Sequence, residues 1–182
     1  MNKTVYFAHG MESGPWGSKI TAMAKVAESL GFTVESPDYT FTKDPFERQL
    51  WLEKTLPRPE GLFVQVGSSL GSLVSALTSK HYKPNGLFLL APAFGLYEKD
   101  PNPFPFADVV DIVHGWDDEV VPVENALQYA AQYRTSIHIL QSDHRLASVL
   151  PEVCNLFHLH LESVIGYKKI LEGEASVVNG AI

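Results

Sequence analysis

The chain has 182 residues, 45% of them hydrophobic and 19% charged, with a formal net charge of −7 and a pI of about 5.4. That is one domain's length of sequence, residues 1–182, with enough apolar material for a core and too little charge for a disordered chain. The acidic balance, with no basic cluster denser than Lys168-Lys169, argues against a nucleic-acid partner and against anionic membranes.

In chain order, the first apolar run is Thr4–Ala8, a strand that ends at His9-Gly10. Lys19–Leu30 has the pattern of a helix and stops at Gly31, a C-cap residue. A second strand covers Phe32–Ser36. Asp44 then caps a helix over Pro45–Leu56, with proline at its first position. Leu62–Val66 is the third strand and Leu70–Lys80 the helix after it. Residues 61–79 carry no charge, but five serines, three glycines and Gln65 make them a strand, turn and helix, not a membrane span. Gly86–Leu90, Asp108–Val113 and Ser136–Leu140 complete the strands. Val123–Tyr133 and His144–Tyr167 complete the helices, with Pro151 expected to break the first turns of the last one.

Six strands alternating with helices predict an α/β fold with a doubly wound, mainly parallel sheet. In such sheets a site lies at the carboxyl ends of the strands. Four of those ends carry chemistry: His9 to Gly14, Gly67-Ser68-Ser69-Leu70-Gly71, His114 to Pro122, and Gln141 to Leu146. The second is G-x-S-x-G between a strand and a helix, a nucleophile elbow centred on Ser69. Ser68 does not fit the glycine spacing, and Ser72 and Ser75 read as small packing residues on the helix. A serine needs a base. His144 follows the last strand and so stands beside the elbow.

The other six histidines read differently. His138 lies inside a strand, and His81 follows a helix. His158 and His160 face different ways on one helix, a poor metal pair. His9 and His114 shape their loops. The acid belongs after the fifth strand, where Asp117 and Asp118 compete; Asp143, adjacent to His144, reads as a turn residue. Backbone N–H groups of Met11 and Leu70 are the candidate oxyanion donors. Trp16, Phe94 and Trp116 are the candidate pocket residues. The single cysteine, Cys154, sits among apolar residues as a buried thiol. With no disulfide and no export signal, the chain is expected in the cytoplasm.

Together these segments resemble the α/β-hydrolase superfamily: H-G after the first strand, G-x-S-x-G, His114-Gly115-Trp116-Asp117-Asp118-Glu119-Val120-Val121-Pro122, and Asp143-His144-Arg145-Leu146. In that register the family's acid falls on Asp118. The stretch HGMESGPWGSK is similar to the first loop of small, capless bacterial esterases. The sequence departs from the family pattern in two ways, which point to a minimal fold. The H-G loop begins at residue 9, so the extra leading strands of many members are expected to be missing, and Ala91–Phe106 is too short for the lid that many members carry. That segment, rich in proline and aromatics, is either a stiff flap over an apolar pocket or a loop that packs its own rings. The expected chemistry is acyl transfer from a small or medium ester or thioester to water through an acyl-enzyme on Ser69, with no cofactor or metal. The rival reading is a non-catalytic small-molecule receptor on the same scaffold. A scaffold acting through a surface partner lacks an apolar stripe to support it. Residues 172–182 are expected to be loose, and the oligomeric state is open.

Overall fold

The computed structural model describes residues 1–171 and Gly173, so the expectation of a loose end over 172–182 lies, Gly173 apart, outside the described residues. Six strands form one sheet: β1 (Lys3–Ala8), β2 (Thr33–Glu35), β3 (Leu62–Ser68), β4 (Gly86–Leu90), β5 (Val109–Gly115) and β6 (Ser136–Leu140). Their order is β2-β1-β3-β4-β5-β6, and every neighbouring pair is parallel. The chain steps outward from β1 to β2 and then returns to the other side of β1, which sets the topological switch between β1 and β3.

The helices are α1 (Ser18–Ser29), α2 (Pro45–Thr55), α3 (Leu70–Tyr82), α4 (Val123–Tyr133) and α5 (Leu150–Leu171). Those on one face are α1 and α5, where Met23, Ala27, Phe157 and Leu161 pack on Val5, Phe7, Val64 and Phe88. On the opposite face, Leu73, Leu77 and Ala126 of α3 and α4 cover Leu87, Leu89 and Ile112. Next to them Leu52 of α2 meets Ala8 and Val74. Covered on both sides, β3 and β4 are buried along their whole length, which explains their unbroken apolar sequences. Each fully buried large side chain in these layers contributes roughly 1.5–3 kcal/mol through burial.

Capping follows the chemistry expected for α2, whose Asp44 accepts hydrogen bonds from the N–H groups of Phe46 and Glu47 at 2.7 and 3.2 Å. The last helix departs from expectation. A short 3-10 turn, Ala147–Val149, leads into α5 at Leu150, so Pro151 opens the helix and does not interrupt it. A proline in the first turn lacks only an N–H that would have no helical partner there. His144 therefore stands in a loop and not on the helix. No helix among the described residues is long and apolar enough to cross a membrane.

Candidate active site

β3 runs straight into Ser69, and α3 begins at the next residue. Ser69 holds φ 56° and ψ −116°, a positive φ that a residue with a Cβ adopts only under constraint. The constraint is visible on both sides of the residue. Its N–H donates to the Leu90 carbonyl at 2.8 Å, and its own carbonyl accepts from Ala93 N at 3.2 Å. The flanking glycines are there for space. A Cβ on Gly67 would lie 2.3 Å from Ser72 Cα, and one on Gly71 would lie 1.9 Å from the Ala8 carbonyl oxygen. Leu70 is the first residue of α3. Its N–H is thus one of the donors that a helix start leaves unpaired, at the positive end of the helix dipole.

The loop after β6 brings His144 to this elbow. Ser69 Oγ lies 2.9 Å from His144 Nε2, and His144 Nδ1 lies 2.7 Å from Asp118 Oδ2. A carboxylate only accepts, so Nδ1 carries the hydrogen and the neutral ring's Nε2 faces the serine hydroxyl as acceptor. Asp118 is fixed further: its Oδ1 accepts from Val120 N at 2.9 Å and Val121 N at 2.8 Å. The Asp118 side chain is 0% exposed and that of His144 19%, so the carboxylate is shut away while the ring keeps one edge open. Asp117, the competitor in sequence, points to the surface and accepts from Gln141 Nε2 at 2.5 Å. Asp143 accepts from Arg145 N at 3.0 Å, the local turn expected of it. The loops after β5 and β6 touch closely. A Cβ on Gly115 would lie 2.2 Å from the Ser142 carbonyl, and Trp116 and Asp117 N–H groups donate to Leu140 and Ser142.

Sequence reasoning missed two groups that belong to this constellation. His114 was expected only to shape its loop; instead its Nε2 lies 3.1 Å from Asp118 Oδ2 and 3.0 Å from the Val121 carbonyl. Both partners are acceptors, so Nε2–H is the donor and a second imidazole holds the carboxylate. Burial pushes the His114 pKa down, which keeps the ring neutral. The position of His114 four residues before Asp118 was the available signal. Lys19, in the first turn of α1, is held down to a pKa of about 8 chiefly by burial, with Asp143 and Asp118 pulling the other way. Nothing in its sequence surroundings marks it.

The first loop passes beside Ser69. A Cβ on Gly10 would lie 3.7 Å from Ser69 Cβ and 3.5 Å from the Ser68 carbonyl. Met11, Trp16 and Trp116 are exposed on loops at this rim. Phe94 is a correction: it is fully buried and stacks on Tyr129, with ring centroids 3.9 Å apart, so it is core and not pocket wall. Its surroundings explain why. The segment from Ala91 to Phe106 is tied to α3 and α4: Tyr129 and Tyr133 hydroxyls donate to the Pro103 and Asn102 carbonyls, and Phe106 N donates to Ser79 Oγ. It packs its own rings, as the second of the two expectations had it. Two hollows lie away from Ser69, one of about 350 Å³ beside Phe46, Leu77 and Lys99, the other of about 360 Å³ at the amino ends of β5 and β6.

Of the remaining histidines, His158 pairs with Glu162 at 3.5 Å, and His160 Nδ1 lies 2.6 Å from Asp111 Oδ2. His138 Nε2 reaches the other oxygen of Asp111 at 3.4 Å. Among the described residues no group of three or more His, Cys, Asp or Glu side chains is arranged to hold a metal ion. Cys154 is half-buried, and burial raises its thiol pKa.

Among solved structures, the chain is similar to a protein from Xanthomonas campestris pv. campestris assigned to the α/β-hydrolase superfamily, with 31% identity and a TM-score of 0.79 over 89% of this chain and 99% of that one. The chain belongs to the α/β-hydrolase superfamily. The same fold recurs, at 17% identity and a TM-score of 0.73, in Est1E from Butyrivibrio proteoclasticus, over 91% of this chain and 89% of that one. It recurs again in a lidless serine hydrolase from Xanthomonas campestris, at 18% identity and a TM-score of 0.67, over 88% and 81%. The chain's six parallel strands, without a lid, are the architecture expected from the motifs. No family model and no curated protein sequence matches the chain.

Proposed function

We propose that this α/β-hydrolase is a serine hydrolase that cleaves small or medium carboxylic esters or thioesters through an acyl-enzyme on Ser69. The single observation that carries the reading is the unbroken chain of hydrogen bonds Ser69 Oγ–His144 Nε2, His144 Nδ1–Asp118 Oδ2, at 2.9 and 2.7 Å. In that geometry His144 takes the hydroxyl proton as Ser69 Oγ bonds to the substrate carbonyl carbon. The carbonyl π electrons move to oxygen, and the N–H groups of Leu70 and Met11 receive that negative charge. Asp118 holds the ring in the tautomer that leaves Nε2 free, and stabilises the imidazolium once it forms. The imidazolium then protonates the leaving alkoxide or thiolate. Water, deprotonated by the same ring, releases the acid and restores Ser69.

The class of substrate follows from the rim. The fold has no lid, and Trp16 and Trp116 are exposed on the loops after β1 and β5, at the same end of the sheet as Ser69, which suits a short acyl group on an accessible ester. The 31%-identical structure from Xanthomonas campestris pv. campestris, described as a hydrolase, points the same way. A fluorophosphonate probe tests the reading: the folded wild type is expected to be modified at Ser69, and Ser69→Ala to resist. Turnover of p-nitrophenyl esters should fall as the acyl chain lengthens. A folded wild type that takes no label turns the assignment toward a receptor on the same scaffold.

A further inference from the structure

Behind the first loop sits a cation without a counter-ion. Arg48, on α2, is wholly buried. Its Nη1 donates to the His9 carbonyl at 2.9 Å and reaches the Gly10 carbonyl at 3.4 Å, and its Nε donates to the Thr42 carbonyl at 3.0 Å. The guanidinium carbon lies 5.1 Å from the Tyr39 ring centroid, and Nη2 has no hydrogen-bond partner. No carboxylate among the described residues pairs with it within 4.0 Å; Asp38, exposed, acts on it only from a distance. Burying a guanidinium is costly, and carbonyl oxygens alone repay that cost poorly. A buried arginine held only by backbone oxygens and a ring is therefore a poor stabilising device, and its placement calls for another explanation.

The Gly10 carbonyl gives one. It accepts from His9 Nδ1 at 2.8 Å as well as from Arg48. His9 is itself fixed: it is fully buried, and its Nε2 accepts from Tyr39 N at 3.1 Å, which places the ring hydrogen on Nδ1. The Gly10 carbonyl thus points at His9 and Arg48. The peptide is trans, so the N–H of Met11 at its other end points the opposite way. Gly10 lies against Ser69, and no hydrogen bond within the described residues occupies that N–H. A donor bonded to the carbonyl end of an amide also polarises it and strengthens the N–H at the far end.

We propose that Arg48 is a positioning residue for the oxyanion site: through the His9 and Gly10 carbonyls it aims the Gly10–Met11 peptide and polarises its N–H toward the oxygen that becomes negative. This rests on the serine-hydrolase reading above. The test compares wild type, Arg48→Met and Arg48→Lys on one p-nitrophenyl ester and on a trifluoromethyl ketone, whose hemiketal with Ser69 carries the same oxyanion. Arg48→Met is expected to lose about 10–100-fold in kcat with KM within about twofold, on the scale of a weakened oxyanion donor. Its affinity for the ketone should fall by the same factor. Arg48→Lys keeps the charge without the fork, so both losses should be smaller; if Arg48→Met fails to fold, the lysine variant carries the test. A folded variant with unchanged kcat overturns the proposal, as does one whose kcat falls while the ketone binds as before. A wild type that is inert toward both ester and fluorophosphonate overturns the hydrolase reading first, and the role of Arg48 with it.

Discussion

Two aspartate–histidine pairs stand within one strand's length of each other in this molecule. Asp118 and His144 meet at 2.7 Å just past the end of β5; Asp111, within β5, meets His160 of α5 at 2.6 Å. Both bonds use Nδ1, so both rings present Nε2 on the far side. There the likeness stops. His144 Nε2 faces the Ser69 hydroxyl and the ring keeps an open edge, whereas His160 is closed in and its Nε2 has no partner. It lies against Gly86, where a Cβ would come within 2.6 Å of it. The difference teaches that a carboxylate and an imidazole make a hydrolytic site only when a constrained nucleophile and a route for substrate stand beyond the ring. One pair has a strained serine placed by an elbow; the other has the backbone of β4.

The sharpest way to break this comparison is to exchange its consequences. Ser69→Ala should lower ester turnover by about 10⁶-fold, the scale for removing such a nucleophile, while Asp111→Asn should leave turnover within about threefold of wild type in the same steady-state assay. Next in size, Asp118→Asn should cost about 10⁴-fold in kcat with little change in KM, because the ring would lose its productive tautomer. Equal losses from Asp111→Asn and Asp118→Asn would erase the distinction.

Asp111 should count in stability instead. Removing one partner of a buried pair costs about 3–5 kcal/mol, so Asp111→Ala should lower the urea midpoint clearly at pH 7. The His160 and His138 contacts hold the Asp111 carboxyl below its usual range despite burial. A depressed folded-state pKa gives stability that is complete above the unfolded value, about 3.9, and is lost as pH falls through the folded one. The gap between wild type and Asp111→Ala should therefore shrink on acidification below about pH 4.

The smallest effect concerns Lys19, whose folded pKa of about 8 lies below the ordinary 10.5. Between those values the unfolded chain binds the extra proton, so the burden of charging this buried amine is full below pH 8 and relieved as pH rises. Lys19→Met should stabilise slightly at pH 7, and the advantage over wild type should fade by about pH 10. Urea midpoints at the two pH values measure it.

The architecture was legible because its causes are local. Continuous apolar runs mark strands covered on both faces, and the glycines of the elbow are demanded by contacts of 2.3 and 1.9 Å that no larger residue fits. The choice between Asp117 and Asp118 needed the family register, since both are plain turn residues in sequence; in space one faces the surface and the other the ring. Phe94 was misplaced because an aromatic after a strand looks the same whether it lines a cleft or stacks on a helix, and Tyr129 lies 35 residues away in the chain. His114 and Arg48 escaped for a related reason. Their meaning lies in which oxygens they touch: His114 meets Asp118 and Val121 of its own loop, whose path the spacing alone does not give, and Arg48 meets the carbonyls of His9 and Gly10 in a loop distant in the chain.

Because every strand of the sheet runs the same way, the molecule has a working rim and an idle one. Glu60, exposed just ahead of β3, sits on the idle side. Seven residues of strand, about 23 Å of extended chain, separate it from Ser69. A tether grafted at Glu60 would anchor the protein to a bead or electrode with the Ser69 end of the sheet facing outward.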